Sequence, residues 1–183
     1  MNVRMIRMLA LSTVLFLMTA CASTMSSPFD TPRAGLWPES DIAGIVMTAN
    51  EGEVQQGNAA VSRATSADVR AFAQMMVTDH TTALGAIRDT SARAGIMQTD
   101  NDTTAALQRT SRETITNLAT YSGAEFDRQY MQTQINLHQW LLTALDQHLI
   151  PLATNRDLRS LLETQRVSVA AHLEQARAIR GRL

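Results

Sequence analysis

From Ser40 to the end of the chain, apolar residues recur three and four positions apart almost without a break, the period of amphipathic helices. Ile42, Val46, Ala49, Glu53, Gly57, Ala60 and Ala64 make one face of a first helix. A second takes Ser66 and Asp68 as capping chemistry, Val69, Phe72, Ala73, Met76, His80, Ala83, Leu84 and Ile87 as its face, and Gly95 as its stop. A Thr-rich segment from Thr103 to Ala119, carrying Leu107, Ser111, Ile115 and Leu118, reads as a connecting helix. Ser122 and Glu125 match the capping-box pattern and open a third long helix, with Asp127, Tyr130, Gln134, His138, Leu141, Leu142 and Leu145 inward, which Pro151 ends. Thr154 and Asp157 start a fourth, striped with Leu158, Leu161, Leu162, Gln165, Val169, His172, Ala176 and Ile179. No alternating β pattern competes, and the four prolines fall outside the proposed helix interiors. The expected class is all-α, a four-helix bundle with a helical crossover between its two helix pairs.

Four polar residues interrupt those stripes, one on each long helix: Glu53, His80, His138 and His172. At 1.5 Å per residue, Glu53 lies roughly 20 Å before the first turn and His80 roughly 20 Å after it, so the two should meet. His138 and His172 flank the turn near Leu152 with a mismatch of about one helical turn, which puts them near mid-bundle as well. One carboxylate and three imidazoles at one depth are a candidate ligand set for zinc, copper or iron. Asp127, Tyr130 and Gln134 are candidates to hold those ligands by hydrogen bonds. Asp79 could do the same, but competes with a plain exposed helix-face position. The alternative is that the cluster only fixes core packing, each group being satisfied by its neighbours without a metal. Met75, Met76 and Met131 read as core filler.

The first residues have a different design. A basic start with Arg4 and Arg7, an apolar run from Met8 to Met18, and Thr19-Ala20-Cys21 give the layout of a secretory signal over residues 1–20. The run is about 11 residues, against about 20 for a spanning helix. Leu17 to Cys21 resembles a bacterial lipobox, with Met18 in place of the usual Leu, and lipidation would account for the only cysteine in the chain. Several acyl chains on Cys21 give stable anchoring. Ala22 in place of Asp favours, by resemblance to enterobacterial lipoproteins, the periplasmic face of the outer membrane. Residues 21–39, rich in Ser, Thr, Pro and Gly, read as a tether, from which Phe29 and Trp37 could dock on the domain or on the membrane. Residues 40–183 are the folded domain.

Charge excludes some partners. The chain carries 16 basic and 17 acidic residues, every basic one an Arg, and they are scattered without a patch, so nucleic acid is not an expected partner. No Gly-rich phosphate loop or nucleophile elbow occurs, and Cys21 is consumed by lipid, so no catalytic residue is assigned. The protein partner is not readable from these residues.

The segments GEVQQGNAAVSRATSADVRAFAQMMVTDH, SGAEFDRQYMQTQINLHQ and VAAHLEQARAI resemble the ferritin-like family of exported bacterial proteins catalogued as domain of unknown function 4142, over roughly Ile42 to Ile179. The resemblance implies a ferritin-like bundle without an established activity. Its recurrent polar positions fall on Glu53, His80, Asp127, Tyr130, His138 and His172. Di-iron bundles place Glu three residues before a ligating His. Here Val77, Ile135 and Val169 precede His80, His138 and His172, so ferroxidase chemistry is disfavoured.

Overall fold

A computed structural model describes residues 37–183. The expected signal segment 1–20, the expected lipidation site Cys21 and most of the proposed tether, Phe29 included, lie outside the described residues. Within them the chain is helical throughout: α1 (Glu39–Val61), α2 (Ala67–Ala94), α3 (Asp102–Leu118), α4 (Gly123–Ala144), a π turn (Leu145–Leu149), α5 (Ile150–Leu152) and α6 (Arg156–Arg180). α1 packs on α2 and α3, α4 on α6, and α2 on α6.

α1 is the most enclosed helix at its start, where Ile42 to Thr48 are all buried rather than only one stripe of them. A helix surrounded on several sides buries all its faces. α3 accounts for part of that cover. It is therefore more than a connection: Ser111 and Thr114 are buried, and Ser111 Oγ would lie 3.3 Å from a Cβ at Gly52. At Gly57 a Cβ would come within 2.8 Å of Val77 Cγ2 and 3.1 Å of the Ala73 carbonyl, so glycine there sets how closely α1 and α2 approach. Trp37 docks on the domain, buried and edge-on to His148 with ring centroids 6.1 Å apart.

The core has two apolar halves. One gathers Ile42, Ile45, Val46, Ile87, Leu141, Leu158 and Leu162; the other gathers Val69, Phe72, Met76, Phe126, Tyr130 and Met131. Along every long helix the segment between these halves carries buried polar residues: Asn50 and Glu53, His80, Gln134 and His138, and His172. A polar layer thus divides the interior.

Helix ends depart from the expected caps in informative ways. Gly95 does end α2, in the left-handed region at φ 66°, with its N–H and that of Ile96 closing on Ser91. Ser66 occupies the N-cap position of α2 but its side chain makes no capping bond. The groups just ahead of the helix are held from α4: Asp127 takes the Thr65 N–H at 3.0 Å, the Thr65 hydroxyl at 2.5 Å and the Ser66 N–H at 2.7 Å. The expected capping box at Ser122 also fails. Gly123 enters α4 at φ 58° and Glu125 turns to Arg128 and Gln129. A capping box forms on α3 between Asn101 and Thr104. Asn155, not Thr154, caps α6, while the Thr154 N–H and hydroxyl and the Asn155 N–H all donate to Glu39 at the head of α1.

Pro151 does not stop the third long helix cleanly. It sits inside α5, and the five residues before α5, Leu145–Leu149, widen into the π turn, with the Ile150 N–H bonded to the Leu145 carbonyl. A proline ring collides with the carbonyl four residues back, and widening the helix relieves that collision.

Two substitutions separate the real cap from the apparent one. Asp127→Ala removes three bonds to a buried carboxylate and should cost about 3 kcal/mol, or a Tm drop of about 10 °C. Ser122→Ala should change stability by less than about 0.5 kcal/mol. Thermal melts followed by circular dichroism check both, and a large loss at Ser122 would contradict the described geometry.

Candidate metal centre

His80, His138 and His172 converge within the polar layer. Their ring centroids lie 5.4–5.9 Å apart, and one nitrogen from each ring falls within 4.8 Å of the others. All three rings are nearly or wholly buried. The one-turn mismatch expected between His138 and His172 does not occur, because the turn between α4 and α6 takes up those residues.

Each ring is held by an oxygen. His80 Nδ1 lies 2.9 Å from Asn50 Oδ1, and the Asn50 amide is itself oriented by donating to the Val46 carbonyl at 2.7 Å. His138 Nδ1 lies 2.9 Å from the Gln134 carbonyl, and His172 Nε2 lies 3.0 Å from Asp79 Oδ2. Amide and carboxylate oxygens accept, so in each pair the imidazole donates and the proton's position on the ring is fixed. The opposite nitrogens, His80 Nε2, His138 Nε2 and His172 Nδ1, are buried with no hydrogen-bond partner. A neutral imidazole that has donated one N–H presents a lone pair at the other nitrogen.

Burial keeps these rings neutral. It pushes His80 down to about 3, with the neighbouring His138 and His172 adding to the effect. It pushes His138 down to about 4 against the pull of the Gln134 carbonyl, and lowers His172 against the pull of Asp79. Neutral imidazole is the metal-binding form.

Glu53 is close but differently placed. Its Oε1 lies 3.7 Å from His138 Nδ1, the nitrogen already bonded to the Gln134 carbonyl, and neither carboxylate oxygen has a hydrogen-bond partner. The meeting of Glu53 with His80 expected from helix arithmetic is off by one turn: His80 takes Asn50, three residues earlier. Burial pushes the Glu53 carboxyl up to about 7, with the Gln134 amide, near it but outside hydrogen-bond geometry, and His172 pulling it back. With His138 held neutral, the Glu53–His138 pair is not an ion pair. Burial, and then the charge of Glu53, push the Tyr130 hydroxyl well above its ordinary value. Asp127 stands apart, committed to the α1–α2 turn.

Sequence reasoning did not single out Asn50. Its position, four residues after Val46 and three before Glu53, puts it on the inward stripe. Asp79 proves to be both exposed and bonded to His172, so its two competing readings hold together.

A cavity of ≈ 60 Å³ between α2 and α6 reaches this cluster, lined by His80, His172, Gln165, Asp79 and Ser168 among others. Asp79 and Ser168 are exposed, so they form its mouth.

Comparison with known proteins gives one match. The family model described as Domain of unknown function (DUF4142) covers residues 27–179. No curated protein and no solved structure matches.

The pKa directions set a pH dependence. For His80 and His138 the folded values, about 3 and about 4, lie below the ordinary 6.5, and His172 is lowered too. Below pH 6.5 the unfolded chain binds protons that the folded one refuses, so stability is full above 6.5 and falls toward 4. Glu53 has the opposite sign: its contribution is full below 4.5 and is lost as pH rises through about 7. Three histidines outweigh one glutamate between those limits, so Tm should fall from pH 6.5 to 4.5. The His138→Gln variant, with no proton to gain, should lose less Tm over that interval; an equal loss would mean that His138 is not held neutral.

Proposed function

The chain belongs to the DUF4142 family, a domain of unknown function, and we propose that it is a metal-binding protein in which His80, His138 and His172 hold a divalent transition ion, zinc, copper or iron. The observation that carries this reading is the set of three lone pairs, each on a buried nitrogen without a protein partner, in rings whose other nitrogen is pinned. A water molecule offers two hydrogens, so one water leaves at least one of these three acceptors unmet. A cation can. Oxygen partners on the far ring nitrogens are the support that metal-bound histidines ordinarily have.

Nitrogens no more than 4.8 Å apart enclose a point within about 2.8 Å of each, and zinc–nitrogen bonds are about 2.0–2.1 Å. Each ring therefore moves inward by up to about 0.7 Å on binding, a side-chain adjustment. The bound ion would act as a Lewis acid. The donor set is rich in imidazole and contains no thiolate, which suits all three metals. Glu53, beside His138 but facing its committed nitrogen, supports the site through charge, and Tyr130 and Gln134 adjoin it.

The same reading extends to architecture and address. α1, α2, α4 and α6 form a ferritin-like four-helix bundle with α3 as the crossover, supported by the pairing of α1 with α2, α4 with α6 and α2 with α6. Val77, Ile135 and Val169 still stand where a di-iron bundle carries Glu, so the site is a histidine site rather than a ferroxidase centre. The protein is exported and anchored to the membrane through lipid on Cys21, with no helix among the described residues long and apolar enough to cross one.

Metal analysis of untagged protein should find about one transition ion per chain, and the His80→Ala, His138→Ala double variant should lose it. Equal, negligible metal in both would leave the packing alternative, in which the polar layer only specifies the core. For the address, Cys21→Ser should move the protein from the membrane fraction to the soluble periplasmic fraction; unchanged membrane association would remove the lipid anchor.

A further inference from the structure

Resting on that reading, we infer that the site is closed: the Glu53 carboxylate is the fourth donor to the ion, held there through its other oxygen by the Tyr130 hydroxyl and the Gln134 amide, so the protein holds a metal and leaves it no exchangeable ligand position. Three neutral imidazoles leave a tetrahedral ion one ligand short and bring it no charge. A divalent ion in a dry interior needs a counter-charge. Glu53 and Asp127 are the buried carboxylates among the described residues, and Asp127 is committed to Thr65 and Ser66. Asp79 is half exposed and occupies the outer nitrogen of His172. The counter-charge therefore falls to Glu53.

No hydrogen bond holds that carboxylate where it lies. Both oxygens are buried without a partner, so turning it toward the ion breaks nothing. Oε1 lies 3.7 Å from His138 Nδ1, beside the ring nitrogen that the ion does not use, and rotation about the glutamate side-chain bonds carries it round the ring toward Nε2. Tyr130, Gln134 and His138 follow one another at four-residue intervals on α4, so they share its inward face. The Tyr130 hydroxyl and the Gln134 amide nitrogen are also buried and unpartnered; the charge of Glu53 reaches the first, and the second pulls on the Glu53 carboxyl. A metal-bound carboxylate is in turn held by hydrogen bonds from its neighbours. One ion together with Glu53 thereby meets three imidazole nitrogens, both carboxylate oxygens, a hydroxyl and an amide N–H that share one buried layer. The ion's Lewis acidity is taken up by the protein's own carboxylate, and a closed set of four protein ligands is the form of zinc site that holds rather than reacts.

The test uses the mature protein loaded with Co²⁺, which stands in for zinc and reports its coordination by visible absorption, and titrated with azide. The expected result is about one cobalt per chain with intense tetrahedral bands that azide leaves unmoved. In Glu53→Gln, whose neutral amide is a weaker donor of the same shape, cobalt should bind roughly 100-fold more weakly and its bands should shift with azide; Tyr130→Phe should keep the wild-type bands and bind about tenfold more weakly. Wild-type bands that shift on azide would overturn the closed site while leaving the histidine ligands standing, a result that needs no variant to fold. Wild-type affinity and bands in Glu53→Gln would overturn Glu53 as the fourth donor, and unchanged affinity in Tyr130→Phe would overturn its hold on the carboxylate. A protein that takes up no cobalt removes the proposed function and the inference together.

Discussion

A buried imidazole must place both of its nitrogens, and three of them at one depth must do so together. That requirement organises the interior. Asn50, the Gln134 carbonyl and Asp79 each take one N–H, and the layer they form separates two apolar halves of the core. Sliding any long helix by a turn would carry an imidazole or Glu53 into one of those halves, with the cost of an unpaired buried polar group. Apolar packing alone tolerates such slips far better, since one leucine can replace another. The polar layer therefore fixes the relative heights of α1, α2, α4 and α6, whether or not an ion is bound.

The helices themselves were legible because their pattern is local: a period of three and four states which face is inward without reference to any other segment. The shared depth of the histidines was legible for a similar reason, since rise per residue converts sequence distance from a turn into height. What a stripe cannot say is which neighbour each polar group meets. Glu53 was expected at His80 and lies at His138 instead, because the choice depends on how α4 is rotated against α1.

The caps show the same limit more sharply. Ser66, Ser122 and Thr154 have the right residue types at the right places, yet the first two make no capping bond and the third serves Glu39. The N–H groups just ahead of two of those helices are taken from far along the chain, by Asp127, 62 residues after Thr65, and by Glu39, 115 residues before Thr154, while Asn155 caps α6 locally. These long-range bonds tie helix entries to other helices, so they act as tertiary joints, and no local motif announces them. Pro151 is a milder case: the interruption was legible, but the chain absorbs it by widening rather than by stopping.

That widening has an implication for how relatives of this chain can vary. A π turn holds one residue more than the α-helix it interrupts, so Leu145–Leu149 contains a surplus position. Deleting one residue elsewhere in the long helices rotates everything beyond it by about 100° and turns the inward stripe to solvent. Within the π turn, the same deletion tightens the helix to ordinary pitch and meets only the proline ring. Length polymorphism should therefore concentrate there, accompanied by loss of the proline, leaving His138 on one side and His172 on the other in their present registers.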